Sequence, residues 1–282
     1  MKIIECPRDA MQGMEEFIST EKKVKYINQL LKVGFDTIDF GSFVSPKAIP
    51  QLRDTAEVLG KLDMAKTQSK LLAIVANTRG AKEAAQHEAI TYLGFPLSIS
   101  ETFQQRNTNK SITESLNSLA EIQEICKQKS KILVTYISMG FGNPYGDPYD
   151  VNLVGKFADI LSTLEIKIIS LADTIGVSQP IQIKYLFESL TKQFSNIEFG
   201  AHLHSNPSTA VEKIKAAIEA GCQRFDGAIK GYGGCPMAED ELVGNLATET
   251  ILLCLDKNEI IPLINREAFA EALRLADTTF LH

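Results

Sequence analysis

Residues 197–220 read IEFGAHLHSNPSTAVEKIKAAIEA and place a short apolar run with strand-like alternation directly before a segment of helical spacing. On a β-strand, side chains two positions apart point to the same face, so His202 and His204 are expected to stand side by side. Two imidazoles alone make a weak metal motif, and a pair of partly buried histidines at a strand end explains them equally well. The rest of the chain decides between these two interpretations.

The same succession of a short apolar run and a helical segment recurs along the chain. The apolar runs are KIIEC (2–6), FDTIDF (35–40), KLLAIVA (70–76), FPLSIS (95–100), KILVTYIS (131–138), IKIISLA (166–172), IEFGAHL (197–203) and CQRFDGAI (222–229). Helical spacing or capping residues mark residues 20–33, 111–127, 180–194 and 208–220. Strands that alternate with helices predict parallel βαβ units, and eight strands in 282 residues favour a (β/α)8 TIM barrel.

Two further observations complete the predicted architecture. The alternative is a doubly wound open sheet, but no glycine-rich GxGxxG motif follows the first apolar run. The tail from about residue 240 predicts two additional helices, and no linker or low-complexity segment interrupts the chain. We therefore expect one TIM-barrel domain over residues 1–282, with extra C-terminal helices.

Composition narrows the possible functions. The net charge of −6 argues against a nucleic-acid partner or an anionic membrane surface, and no apolar run approaches the roughly 18–20 residues of a membrane span. Five cysteines without paired spacing suggest reduced thiols, and the first residues, MKIIECPRD, resemble neither a signal peptide nor a transit peptide. These features predict a cytoplasmic enzyme or binding domain.

Polar residues of catalytic type follow the apolar runs, at the end of the strands where a TIM barrel carries its active site. They are Arg8, Asp9, Asp39, Asn77, Asp173, His202, His204, Cys235 and Asn245. Each alone has an ordinary explanation, such as a helix N-cap for Asp9 or Asp173. Together they place imidazoles and carboxylates at one rim, a donor set that suits Mg²⁺, Mn²⁺ or Zn²⁺.

Five motifs carry a resemblance to a known family. They are PRDAMQ (7–12), SFVSPKAIPQ (42–51), ADTIGV (172–177), HLH (202–204) and GYGGCPMA…GNLATE (231–249). In these motifs the chain resembles the 3-hydroxy-3-methylglutaryl-CoA (HMG-CoA) lyase family, within the divalent-metal lyases and Claisen-condensing enzymes built on TIM barrels. The arginine–aspartate pair and the HxH motif are shared by that whole group, whereas SFVSPK and GGCP…GNLATE are more specific to the lyases.

The resemblance implies a role for particular residues. The implied metal ligands are Asp9, His202, His204 and Asn245, and the implied catalytic residues are Arg8, Asp39, Asp173 and Cys235. Basic residues near the rim are expected to meet the anionic CoA tail, although a solvated surface position is the more common explanation for each. With one residue of the PRDAMQ motif, the predicted substrate-binding set is Gln12, Lys47, Arg106 and Lys110. An acyl-CoA substrate, a divalent cation and a homodimer are also implied.

The reaction implied by the resemblance is the cleavage of HMG-CoA to acetyl-CoA and acetoacetate. Asp39, Asp173 and Asp9 all remain candidates for the general base. Three departures from the lyase pattern bear on the substrate range: Asp39 replaces a glutamate, Ser205 replaces an aspartate, and the segment between Cys235 and Asn245 is one residue longer. The alternatives are a condensing enzyme that joins acetyl-CoA to a 2-oxo acid, a lyase for a related hydroxyacyl-CoA, and a metal-stabilised binding protein.

Overall fold

The computed structural model describes residues 1–234, 243–258, 260 and 262–280. Eight parallel strands form a closed barrel in which each strand pairs with the next and the last pairs with the first. The strands are β1 (Lys2–Glu5), β2 (Thr37–Ser42), β3 (Lys70–Ile74), β4 (Ile90–Ser98), β5 (Ile132–Ser138), β6 (Ile168–Asp173), β7 (Glu198–Leu203) and β8 (Arg224–Gly227). The predicted TIM barrel is confirmed.

Helices lie between the strands and extend beyond the last one. They are α1 (Pro7–Gln12), α2 (Thr20–Val33), α3 (Thr55–Leu59), α4 (Thr78–Ala84), α5 (Glu101–Thr108), α6 (Ile112–Gln128), α7 (Val151–Thr163), α8 (Pro180–Gln193), α9 (Pro207–Glu219), α10 (Thr248–Lys257) and α11 (Arg266–Phe280). Local sequence sets several of these boundaries. Ser111 and Glu114 form the predicted capping box of α6, and α2 ends where Gly34 adopts a left-handed conformation.

The apolar side chains fill two separate regions. The larger one lies between the strands and the surrounding helices, as in other TIM barrels. A smaller cluster consists of residues from β3 to β6: Leu72, Ile74, Tyr92, Val134, Tyr136 and Ile168. The strands are buried almost throughout. Asp39 and Asp173 have hydrogen-bond partners there, whereas the hydroxyl groups of Thr135 and Ser170 have none among the described residues.

Strand β4 begins five residues earlier than the apolar run at 95–100 predicts. The preceding residues alternate in polarity less clearly, and Gly94 reads as a strand end. In the barrel this glycine is instead required by close packing, since a Cβ there would lie 2.6 Å from Ile74 Cδ1 and 3.1 Å from both Leu72 Cδ2 and Tyr136 Cε2. Gly94 therefore lies within the strand.

Two helices follow β8, as the sequence predicts. Helix α11 packs on α2, where the rings of Tyr26 and Phe280 meet edge to face with centroids 5.2 Å apart. Gln29 also donates a hydrogen bond to the carbonyl oxygen of Ala268. These contacts hold the C-terminal helix against the first long helix of the barrel. Among the described helices, none combines the length and apolar character needed to cross a membrane.

We predict that Gly94→Ala destabilises the protein by about 1–3 kcal/mol, because the added methyl group overpacks the barrel interior. The matched control is Gly155→Ala on α7, where an added Cβ has no atom within 4 Å. That change is expected to raise the free energy of unfolding by about 0.5–1 kcal/mol, since alanine favours a helix more than glycine does. Urea titrations followed by circular dichroism compare the two, and equal effects would contradict the packing argument.

Candidate active site

Three potential ligands meet at one rim of the barrel. Asp9 lies in the first turn of α1, which begins immediately after β1 with Pro7 at its start. His202 lies near the end of β7, and His204 follows that strand. One ligand atom from each of Asp9, His202 and His204 lies within 4.8 Å of the others, and all three residues are buried. The fold thus brings Asp9 into one cluster with two histidines that lie almost 200 residues further along the chain.

Three hydrogen-bond donors hold the carboxylate of Asp9 in place. Its Oδ1 accepts hydrogen bonds from Arg8 Nη1 and Gln12 Nε2, each at 2.7 Å, and its Oδ2 accepts one from Asn245 Nδ2 at 2.7 Å. Burial raises the pKa of Asp9, but the charges of Arg8, His202 and His204 outweigh this effect and leave the pKa below its ordinary value. Asp9 is therefore an oriented carboxylate, as a cation ligand must be.

Each histidine uses its Nδ1 atom for a protein contact. Nδ1 of His202 lies 3.1 Å from Oδ2 of Asp226, and Nδ1 of His204 lies 2.9 Å from the carbonyl oxygen of Val243. Burial, followed by the charge of His202, lowers the pKa of His204. Burial also lowers the pKa of His202, but the hydrogen bond and charge of Asp226 reverse this and raise it. In both rings Nε2 is left as the nitrogen that can bind a metal ion.

Asn245 completes the predicted ligand set from the segment before α10. Its Nδ2 donates to Asp9 and to the carbonyl oxygen of Tyr232, so that only its amide oxygen can coordinate a cation. Asn245 also forms an isolated antiparallel bridge with His204. Two imidazoles, a carboxylate and an amide suit a divalent cation such as Mg²⁺, Mn²⁺ or Zn²⁺, and the residues present therefore fit a metal site.

Arg8 connects this cluster to Asp39. Its Nε and Nη2 atoms donate to Oδ2 of Asp39 at 3.0 and 2.6 Å, while its Nη1 donates to Asp9. Asp39 is fully buried, and Oδ1 has no hydrogen-bond partner among the described residues. Burial raises the pKa of Asp39 to about 6, despite the opposing effect of Arg8. A carboxyl group with such a pKa can exchange a proton near neutral pH.

Asp173 has different surroundings. Its two oxygens accept hydrogen bonds from the backbone of Val177 and Ser178, from the Ser178 hydroxyl, and from Lys213 Nζ at 2.9 Å. It does not line the cavity described below. The contacts of Asp173 therefore hold the turn between β6 and α8, and the structure does not bring its carboxylate into the rim cluster. Ser205 likewise contacts Asn206 and Thr209 at the start of α9.

A cavity of about 460 Å³ opens over the cluster. Its polar part contains Arg8, Asp9, Gln12, His202 and His204. Its apolar wall includes Val44, Ile49, Ile74, Pro96 and Phe103. The cavity thus sets a charged floor opposite an apolar wall, an arrangement suited to a ligand with one polar and one apolar part.

The predicted substrate-binding residues divide into two groups. Gln12 and Arg106 line the cavity, and Arg106 lies on α5 rather than in a loop, with its guanidinium 4.6 Å from the ring centroid of Tyr145. Lys47 is exposed and Lys110 donates to Ser118 Oγ at 2.7 Å, and neither residue lines the cavity. Cys235 lies outside the described residues.

Sequence reasoning missed Asp226 and Tyr136. Asp226 pairs in register with His202 across β7 and β8, and Tyr136 packs edge to face on the His202 ring with centroids 5.4 Å apart. Two charged residues in one predicted strand, Arg224 and Asp226, were the available signal, because charged residues within a barrel strand need buried partners. Tyr136 gave no comparable signal, since tyrosine is common in strands.

The closed barrel and the donor cluster at its rim define a TIM-barrel enzyme with the residues of a metal site. The family model described as HMGL-like matches residues 2–276. The chain is 34% identical over 271 residues to hydroxymethylglutaryl-CoA lyase of Bacillus subtilis, covering 95% of this chain and 89% of the relative. This chain belongs to the HMGL-like family, and it is a carbon–carbon lyase.

Two further proteins extend the comparison. A Pseudomonas aeruginosa relative, named 3-hydroxy-3-isohexenylglutaryl-CoA/hydroxy-methylglutaryl-CoA lyase, is 32% identical to this chain. The alignment covers 94% of this chain and 88% of the relative. The solved structure of an HMG-CoA lyase from Acinetobacter baumannii, in complex with coenzyme A and 3-methylmalate, aligns with a TM-score of 0.93 and 31% identity. That alignment covers 100% of this chain and 92% of the solved chain.

Glu5 anchors the segment that carries Asn245. From the end of β1 its carboxylate accepts hydrogen bonds from the backbone nitrogen of Ile229 at 2.9 Å and from Thr248 Oγ1 at 2.6 Å. These two partners lie at opposite ends of the segment. Burial raises the pKa of Glu5 from 4.5 to about 8, although both hydrogen bonds lower it.

We predict that the wild-type protein loses stability as pH rises from about 4.5 to about 8. In this interval the folded state binds more protons than the unfolded state because the folded pKa of Glu5 is raised, and the limiting slope is about 1.4 kcal/mol per pH unit. Glu5→Gln should flatten this slope while it keeps an acceptor for Ile229. The control Glu121→Gln, on the exposed side of α6, should leave it unchanged. Urea titrations at several pH values measure the slopes, and equal slopes in all three proteins would contradict the role of Glu5.

Proposed function

We propose that this protein is a divalent-metal-dependent lyase that cleaves HMG-CoA to acetyl-CoA and acetoacetate. The observation that carries the proposal is the convergence of Asp9, His202 and His204 with Arg8 in one cavity, where Arg8 also pairs with the buried Asp39. Similarity to lyases of this substrate over most of the chain supports the same reaction. The larger hydroxyacyl-CoA in the name of the Pseudomonas aeruginosa relative favours a second candidate substrate of the same chemistry.

The proposed metal ligands are Asp9, His202, His204 and the amide oxygen of Asn245, and the proposed ion is Mg²⁺ or Mn²⁺, with Zn²⁺ also compatible. When bound, such a cation lowers the pKa of a substrate hydroxyl group and withdraws electron density from neighbouring oxygens. Hydrogen bonds within the protein orient these side chains: Asn245 donates to Asp9, and the Nδ1 atoms of the two histidines contact Asp226 and the carbonyl oxygen of Val243.

We assign the removal of the C3 hydroxyl proton to Asp39. Asp9 has both oxygens engaged within the donor cluster, and Asp173 accepts four hydrogen bonds away from the cavity. Asp39 has a pKa of about 6, which suits a base that works near neutral pH. Asp39 is fully buried, does not line the cavity itself and is one methylene shorter than glutamate, but unlike Asp173 it is paired with Arg8, which does line the cavity. We therefore propose that the proton reaches Asp39 through a water molecule.

Once the hydroxyl proton leaves, the C2–C3 bond breaks and C3 becomes the ketone carbon of acetoacetate. The electron pair of that bond moves toward the thioester carbonyl, and Arg8 is proposed to stabilise the negative charge on its oxygen. A proton added at C2 then completes acetyl-CoA. We assign this step to Cys235, on the resemblance in the GYGGCPMA motif.

Arg106 is proposed to meet the CoA part of the substrate, with Lys47 and Lys110 nearer to solvent. Gln12, which is hydrogen-bonded to Arg8 and Asp9, is proposed to meet the acyl part. Arg106 and Gln12 both line the cavity, and the phosphates of CoA carry the charge that a guanidinium recognises. We also infer a cytoplasmic homodimer. The bacterial source of the Bacillus subtilis relative supports the cytoplasmic location, and the dimer is inferred from the family resemblance. Light scattering during gel filtration tests the dimer.

The proposed reaction is tested with purified protein, HMG-CoA and Mg²⁺ or Mn²⁺. We expect stoichiometric acetoacetate and acetyl-CoA, complete loss of activity with EDTA, and recovery when Mn²⁺ is restored. A parallel reaction with acetyl-CoA and a 2-oxo acid examines the condensing alternative. Full activity of chelated, metal-free protein would contradict metal dependence. If only the condensing reaction gave product, the proposed lyase reaction would be wrong and the condensing alternative would be supported.

We predict that Arg8→Lys lowers kcat by about 10²–10³-fold with little change in KM, because the charge that Arg8 stabilises develops only as the bond breaks. Lysine keeps the positive charge but loses the planar fork that reaches Asp9 and Asp39 together. The comparison variant is Arg106→Lys, which should raise KM more than it lowers kcat. Steady-state kinetics on folded variants separates the two effects, and a change in KM alone for Arg8→Lys would assign Arg8 to binding.

A further inference from the structure

We propose that Asp226 is a positioning residue that holds the His202 ring in the tautomer needed for metal binding, an inference that rests on the proposed function for its biological purpose. Asp226 and His202 are register partners on β8 and β7. Their side chains are 1% and 11% exposed, and His202 Nδ1 lies 3.1 Å from Asp226 Oδ2. This contact is therefore buried and sheltered from competing water.

The chemistry of the pair fixes the position of the proton. A carboxylate oxygen accepts a hydrogen bond from a ring N–H, so the contact between Asp226 Oδ2 and His202 Nδ1 favours the tautomer of neutral His202 with its proton on Nδ1. The Nε2 atom is then left with a free lone pair, as a metal ligand requires. His204 reaches the same tautomer differently, since its Nδ1 faces the carbonyl oxygen of Val243. Of these two histidines, only His202 contacts a side chain through Nδ1, so its tautomer can be tested by mutating that partner.

A row of charged residues extends from Asp226 along the strands. Oδ1 of Asp226 lies 4.0 Å from Nε of Arg224, which is completely buried. Arg224 Nη1 in turn lies 3.5 Å from Glu198 Oε1, and Lys2 forms an ion pair with Glu198. Arg224 thus offsets the charge of Asp226 where solvent cannot. The row of alternating charges runs along β7, β8 and β1 away from the rim.

Cys6 offers a different use of the same atoms. A ligand atom from each of Cys6, His202 and Asp226 also lies within 4.8 Å of the others, which is compatible with an ion on the Nδ1 side of His202. The Cys6 thiol, however, already donates to the carbonyl oxygen of Ile4. The Nδ1 side of His202 is in turn occupied by its contact with Asp226 Oδ2. The hydrogen bond between Asp226 and His202 is therefore the better account of this contact.

The experiment compares wild-type protein with Asp226→Asn. Nitrogen-15 histidine spectra, recorded at about pH 9 so that both rings are neutral, report the tautomer of each ring; His202 is assigned by the signals lost in His202→Gln. Mn²⁺ affinity is measured by calorimetry on the same samples. The control is Asp54→Asn, which removes a buried carboxylate paired with Lys23 away from the site.

We expect wild-type His202 to carry its proton on Nδ1, and Asp226→Asn to show both tautomers and bind Mn²⁺ about 10–100-fold more weakly. Asp54→Asn should keep the wild-type tautomer and affinity. An Nε2-protonated His202 in the wild-type protein overturns the inference without any variant, as does an Asp226→Asn protein with wild-type tautomer and affinity. Failure of the wild-type protein to bind Mn²⁺ would contradict the proposed function instead, while the tautomer still decides the role of Asp226.

Discussion

The site depends on the two ion pairs of the Arg8 guanidinium group, because they join two buried carboxylates that would otherwise repel each other. One edge of the group meets Asp39 on β2 and the other meets Asp9 on α1. Removing one partner from such a buried network leaves an uncompensated charge, which is far more costly than loss of a surface ion pair. The donor cluster and the proposed base are therefore fixed relative to each other by one side chain.

The barrel divides its interior between polar and apolar strands. Buried charged side chains come from β2 (Asp39) and from β8 (Arg224 and Asp226), and β7 adds His202, whereas the inner apolar cluster comes from β3 to β6. Ile74 and Tyr136 belong to that cluster and also line the cavity. The apolar wall of the site is thus an extension of the barrel interior. A substrate that binds there can direct its oxygens toward the charged strands.

Much of the fold and part of the site could be predicted from sequence for local reasons. Strand alternation and helix caps are encoded within a few residues, and they predicted the barrel and helices such as α6. The start of β4 was wrong because Gly94 fits a packing constraint from Ile74 that lies outside its own segment. The contacts of Asp173 and Asp226 depend on Lys213 and His202, which only the folded chain brings near. Side-chain partners across strands are therefore the part that sequence does not reveal.

The return of the chain after β8 joins fold stability to the site. Gly233, with a φ of +96°, brings its backbone so close to Asp9 that a Cβ would lie 2.6 Å from the Asp9 carbonyl oxygen and 2.8 Å from Asn245 Nδ2. From the end of β1, Glu5 also accepts hydrogen bonds from Ile229 and Thr248, which lie on either side of Gly233 and Asn245 in the sequence. Because Asn245 lies between these restraints, its contact with Asp9 follows from backbone packing. Contacts among the described residues thus hold Asn245 against Asp9.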